Sequence, residues 1–157
     1  MDADVKEVLA VEVTTEPWTD SEVLAGLLEQ IDDPIGHVRG DGAYDTQEVY
    51  TVAGERGATV TIPPRANAVP WAPDHPRTPA LAAIAADGLP AWKQVVGDHR
   101  RSLAENAMYR FKQLFGERLA SRLFETQVTE VQVRVAALNV MTDLGMPVSV
   151  PRRVILS

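Results

Sequence analysis

The 157-residue chain contains no cysteine, which excludes disulfides and thiolate metal sites and fits a cytoplasmic protein. Histidine is scarce too. His37, His75 and His99 stand alone, with no ligand spacing, so an imidazole metal centre has no sequence support. No apolar run approaches the roughly 18 residues of a membrane span, and Met1-Asp2-Ala3-Asp4 carries no signal-peptide pattern. Walker, dinucleotide and G-x-S-x-G motifs are absent. Basic residues are outnumbered 15 to 22, for a net charge of −7. That balance argues against an all-over nucleic-acid coat.

The charge is unevenly spread. Residues 1–60 hold 3 basic and 14 acidic residues, whereas residues 93–122 hold 7 basic and 3 acidic. Phosphate neutralisation supplies most non-specific DNA affinity, so any DNA contact concentrates in that second stretch. A solvated helix face would carry the same charges.

The composition, 45% hydrophobic and 24% charged, is that of a globular domain, and one domain accounts for residues 1–157. Imperfect alternation with β-branched residues predicts a strand over residues 5–14. Thr19-Asp20-Ser21-Glu22 has capping-box spacing and opens a helix through Leu24, Leu28 and Ile31. A second strand is expected at 35–42, with Asp41 near its C-terminal end. A short helix opens at Asp45–Glu48 and stops at Gly57, and a third strand follows at 58–62. The β-α-β-α-β order predicts an α/β fold with some parallel pairing.

A loop of residues 63–77, with five prolines between Pro63 and Pro76, follows. It carries Arg65 and Trp71. The pair either grips nucleic acid by phosphate contact and stacking, or the Trp is pinned on the core. Thr78-Pro79 starts a helix that closes near Gly88, and a short helical turn ends at Gly97. Helices then span residues 98–116 and 128–144, the second capped by Gly145. The core runs from 5 to 145, and residues 148–157 are expected to be a loose tail.

Two stretches carry the candidate chemistry. In Asp98–Gly116, Arg101, Glu105, Met108 and Lys112 share one helical stripe, with Leu103, Ala107, Phe111 and Leu114 beside it. A carboxylate held between two cations builds a surface salt bridge or a ligand beside phosphate contacts. The other stretch is Asp41-Gly42-Ala43-Tyr44-Asp45-Thr46. Asp41 is either a turn aspartate between glycines or a carboxylate at the crevice where α/β sheets bind ligands.

The spacing Arg101, three residues, Glu105, six residues, Lys112 resembles the Tyr-Arg-Glu-Lys signature of bacterial insertion-sequence transposases of the DDE class. Asp98 stands where that signature has Tyr. The Asp41 block resembles the same family's second-aspartate motif, and the likeness runs from about Glu12 to Val148. The resemblance implies an RNase H-like fold and DNA transposition by metal-dependent strand cleavage and transfer. It implies Asp41 and Glu105 as catalytic metal ligands for Mg²⁺ or Mn²⁺, and Arg101 and Lys112 as DNA contacts; Arg65 is a DNA-contact candidate from its loop and charge alone.

In the RNase H-like order, the first two strands and the first aspartate precede the 5–14 strand. The expected architecture is therefore a partial fold: about three strands, then helices, as in the C-terminal part of a catalytic domain. The two-ion site would form only when the absent aspartate is supplied. Expected partners are DNA, an N-terminal transposase segment or full-length transposase, and further copies of the chain when active. The alternative is a non-catalytic DNA- or transposase-binding fragment that modulates transposition. An RNase H-like nuclease would share the carboxylates without calling for the Arg-Glu-Lys stripe.

Overall fold

The structure is a computed structural model that describes residues 1–15, 18–97 and 102–145. In chain order the elements are α1 (Asp20–Glu29), β1 (His37–Arg39), a 3₁₀ turn (Gly42–Tyr44), α2 (Gln47–Glu55), β2 (Thr59–Thr61), α3 (Thr78–Val95), α4 (Ser102–Phe115) and α5 (Phe124–Asp143). No described helix is long and apolar enough to cross a membrane.

β1 and β2 pair in parallel, with Val38 opposite Val60. Parallel neighbours need a crossover rather than a hairpin, and α2 supplies it. The sheet lies against a core of Leu24 and Leu28 from α1, Val49 from α2 and Ile62 just past β2. Val49 and Ile62 are almost fully enclosed, and each contributes about 1.5–3 kcal/mol by leaving water.

Local chemistry sets the helix ends. At α1 the Glu22 carboxylate accepts the Thr19 backbone N–H at 2.7 Å and the Thr19 hydroxyl at 2.7 Å, the expected capping box. These bonds to its charged form hold the Glu22 carboxyl below its ordinary value. At the other end of α1, Arg56 donates to the Leu28 carbonyl at 2.6 Å and also to that of Ile31. A cation on the carbonyls at this helix end thus ties α2 to α1. Thr46, one residue later than expected, caps α2 by accepting from Val49 N–H. α3 is kinked at Gly88, whose φ of 82° lies in the glycine-favouring region. α4 ends at Gly116, with φ of 76°.

The expected strand over residues 5–14 is not formed, so among the described residues the sheet has two strands rather than three. Two features account for this. Lys6 has φ of 62°, which interrupts the extended run. The backbone groups that a ladder would use are taken by side-chain amides instead. Val8 N–H donates to Asn139 Oδ1 at 2.9 Å, and Asn139 Nδ2 donates to the Val8 carbonyl at 3.0 Å. Further along, Val11 N–H donates to Gln30 Oε1 at 3.3 Å. β1 is also shorter than expected, so Asp41 lies two residues beyond it rather than on it.

α5 begins at Phe124, four residues earlier than its periodicity suggested. Val131, Val135, Leu138 and Thr142 face inward, and Val133, Val140 and Leu144 are exposed. The α4–α5 connection is fastened by Glu130, whose carboxylate accepts from Ala120 N–H at 3.0 Å and Ser121 N–H at 2.8 Å and pairs with Arg134. These bonds to the charged form, led by the two backbone donors, pull the Glu130 carboxyl down to about 2.

Candidate active site

Asp41 sits at the mouth of a tight turn. Gly40 N–H completes the ladder by donating to the Thr61 carbonyl at 3.4 Å. The chain then bends, and Asp41 Oδ1 accepts from Ala43 N–H at 2.8 Å as the cap of the 3₁₀ turn. A Cβ on Gly40 would sit 3.0 Å from the Tyr44 side chain, so any larger residue there would press on Tyr44. At Gly42 a Cβ would make only ordinary contact. Asp41 itself is exposed.

Arg65 from the proline-rich loop joins this turn. Its Nε donates to the Gly42 carbonyl at 3.0 Å and its Nη2 to the Ala43 carbonyl at 3.2 Å. The two sequence candidates Asp41 and Arg65 are therefore neighbours across one turn. Trp71 takes the core-pinned course. Its ring lies 3.9 Å from the Arg77 guanidinium carbon and packs edge-on against Tyr50 and His75. It is not a free stacking platform.

Arg39 places the rest of the site. From β1 it donates to the Val96 carbonyl at 2.7 Å, at the end of α3. That bond brings the end of α3 to the end of β1. A groove of about 540 Å³ runs between β1, α1, the N-terminal segment and the first turn of α4. Arg39 lines it from β1, and Leu103 and Ala104 line it from α4. Glu105 follows directly on the α4 residues that line the groove, and Asp41 lies two residues past Arg39, which lines it from β1; neither carboxylate lines the groove itself. Glu105, Met108 and Lys112 form an exposed stripe along α4, with Ala107 buried beneath. Lys112 lies about 10 Å along the helix from Glu105. Arg101 and Asp98 lie outside the described residues. A second depression of about 350 Å³, beside Trp18 and Phe124, includes none of the candidates.

The sequence model of the transposase DDE domain family matches residues 1–140. The chain belongs to that family. The chemistry associated with this family is transposition, with DNA as substrate. No solved structure matches the chain. A transposase of this family generally uses a divalent metal. Among the described residues, however, no three His, Asp or Glu side chains gather to hold one.

One constellation escaped the sequence reading. Asp45, expected at a helix cap, is buried and pairs with Arg77 at 2.6 Å. The pair lies beneath the proline-rich loop. Burial, followed by the nearby Asp45 charge, pushes the adjacent Tyr50 hydroxyl up to about 12. Arg77 precedes a helix start and shows no periodic or motif signal that would have exposed it.

Proposed function

We propose that this chain is the C-terminal part of an insertion-sequence DDE transposase with an RNase H-like catalytic domain, working on DNA in the cytoplasm. It contributes Asp41 and Glu105, and a separate segment supplies the strand-borne first aspartate. The observation that carries this reading is the parallel β1-α2-β2 unit with Asp41 in the turn just past β1, inside a chain of the DDE family. Carboxylates past strand ends in α/β sheets stand where such sheets open to ligands. The later helix α4 carries Glu105 on its exposed face, in the order the family resemblance implies.

Oxygen donors suit Mg²⁺ or Mn²⁺, which would supply nucleophile activation and leaving-group stabilisation once the site is completed. The chain's own residues bind and orient DNA. Arg65 has five N–H donors, and two of its nitrogens serve the turn carbonyls. Its remaining donors belong to an exposed side chain beside Asp41, suited to a phosphodiester oxygen. Lys112, and Arg101 by the signature, hold phosphates farther along. The active species is an oligomer of the complemented chain.

A nicking assay on DNA bearing the element's ends tests this. The isolated chain should show no Mg²⁺-dependent cleavage. A co-expressed segment carrying the first two strands and their aspartate should restore it, and Glu105→Gln should abolish the restored activity. Cleavage by the lone chain that disappears in Asp41→Asn would refute the need for a second segment. The second reading is a non-catalytic fragment that binds DNA or transposase. It predicts inhibition of full-length transposase and no restored cleavage.

A further inference from the structure

We propose that Asp45, acting through Arg65, is a positioning residue for Asp41. The chain of contacts is continuous. Asp45 Oδ2 accepts from Arg77 Nη2 at 2.6 Å and from the Arg65 backbone N–H at 3.0 Å. One buried oxygen therefore fixes both ends of the loop formed by residues 65–77. Arg77 holds the middle, donating to the Val69 carbonyl at 2.8 Å and stacking on Trp71. With its backbone so anchored, Arg65 sends its guanidinium back onto the carbonyls of Gly42 and Ala43. Ala43 is also the residue whose N–H holds Asp41 Oδ1. The turn that aims the Asp41 carboxylate is thus gripped from outside by a side chain whose own placement is set by Asp45.

The energetics favour a geometric role over a stabilising one. The Asp45 and Arg77 side chains are 0% and 4% exposed, yet Asp45 Oδ1 and Arg77 Nε have no hydrogen-bond partner. Buried ion pairs repay their desolvation only when the remaining donors and acceptors are also paired, and here two are not. An apolar pair would fill the same space more cheaply. What it could not do is accept the Arg65 N–H and so direct the Arg65 guanidinium to the turn.

The inference rests on the reading of Asp41 as the catalytic carboxylate, but its first readout does not need activity. Amide exchange and the amide proton shift of Ala43 report the Asp41 turn directly. Arg65→Lys keeps the charge and loses the planar fork, and the side chain is exposed, so the variant should fold. Ala43 exchange should quicken about 10-fold, the equivalent of one hydrogen bond. Asp45→Asn, two contacts away, should do the same and move the Ala43 proton upfield. Val49→Ala, which destabilises the core, serves as the control and should leave Ala43 unchanged relative to core amides. In the complemented enzyme Arg65→Lys should lower kcat with little change in KM for DNA. Wild-type Ala43 exchange in both Arg65→Lys and Asp45→Asn would overturn the proposal, as would an unchanged kcat in Arg65→Lys. If complementation never yields cleavage, the transposase reading of this site fails, while altered Ala43 exchange still upholds the contact chain from Asp45 to the turn.

Discussion

Arg77→Met is the most informative stability probe. It keeps most of the side-chain volume and removes the charge, leaving Asp45 enclosed with no counter-ion. Removing one partner of a buried pair typically costs about 3–5 kcal/mol. Lost stacking on Trp71 and the lost bond to the Val69 carbonyl act in the same direction. Domains are stable by only about 5–15 kcal/mol, so this is a large fraction of the total. At roughly 2–4 °C per kcal/mol for a chain of this size, Tm should fall by about 6–20 °C. The double variant Asp45→Leu/Arg77→Met removes both charges and both orphaned polar atoms. It should recover most of the loss, to within about 1–2 kcal/mol of the wild type. Urea unfolding followed by circular dichroism, run as a double-mutant cycle, measures the coupling. A single variant within about 1 kcal/mol of the wild type, or a double variant no better than the single, would refute the reasoning.

Three further outcomes are expected. The folded-state carboxyl of Glu130 lies near 2, below its unfolded value, so the stability it contributes is complete above about pH 4.5 and lost as pH falls toward 2. Glu130→Gln should flatten the acid limb of the Tm–pH curve in that window, and an unchanged limb would count against it. Asn139→Leu should remove both bonds to Val8, raising Val8 amide exchange and protease access to residues 5–14 while the β1–β2 amides stay protected. Lys112→Ala should weaken non-specific DNA binding and reduce the salt slope by about 1, read by anisotropy titration. An unaltered slope would remove Lys112 from the DNA surface.

Where local signals governed the outcome, the sequence was readable. Thr19 to Glu22, Gly57, Gly88, Gly116 and the α5 periodicity each express a constraint confined to a few neighbours, and each reappears in the structure. The Asp41 and Arg-Glu-Lys motifs likewise led to the family. Non-local choices were not readable. The alternation of residues 5–14 is the same whether or not a strand stands ready to pair, and here Asn139 and Gln30 took the backbone groups. Asp45 reads as a cap beside Thr46, and nothing local reveals a partner 32 residues away. Arg65 was chosen as a DNA contact from its loop and its charge, without any sign that it would hold the Asp41 turn.

The bond between Val8 and Asn139 also dictates an order of events. It closes a sequence separation of 131 residues, so the Val8 backbone cannot make these bonds until α5 exists. At about 5–20 residues per second, a ribosome takes roughly 7–26 s to cover that distance. The α1-β1-α2-β2 unit can assemble meanwhile, since its contacts are far more local. The stretch around Val8, in a segment rich in β-branched side chains, lacks its Asn139 partner for that interval, which makes it the place through which a nascent chain would pair with a neighbour.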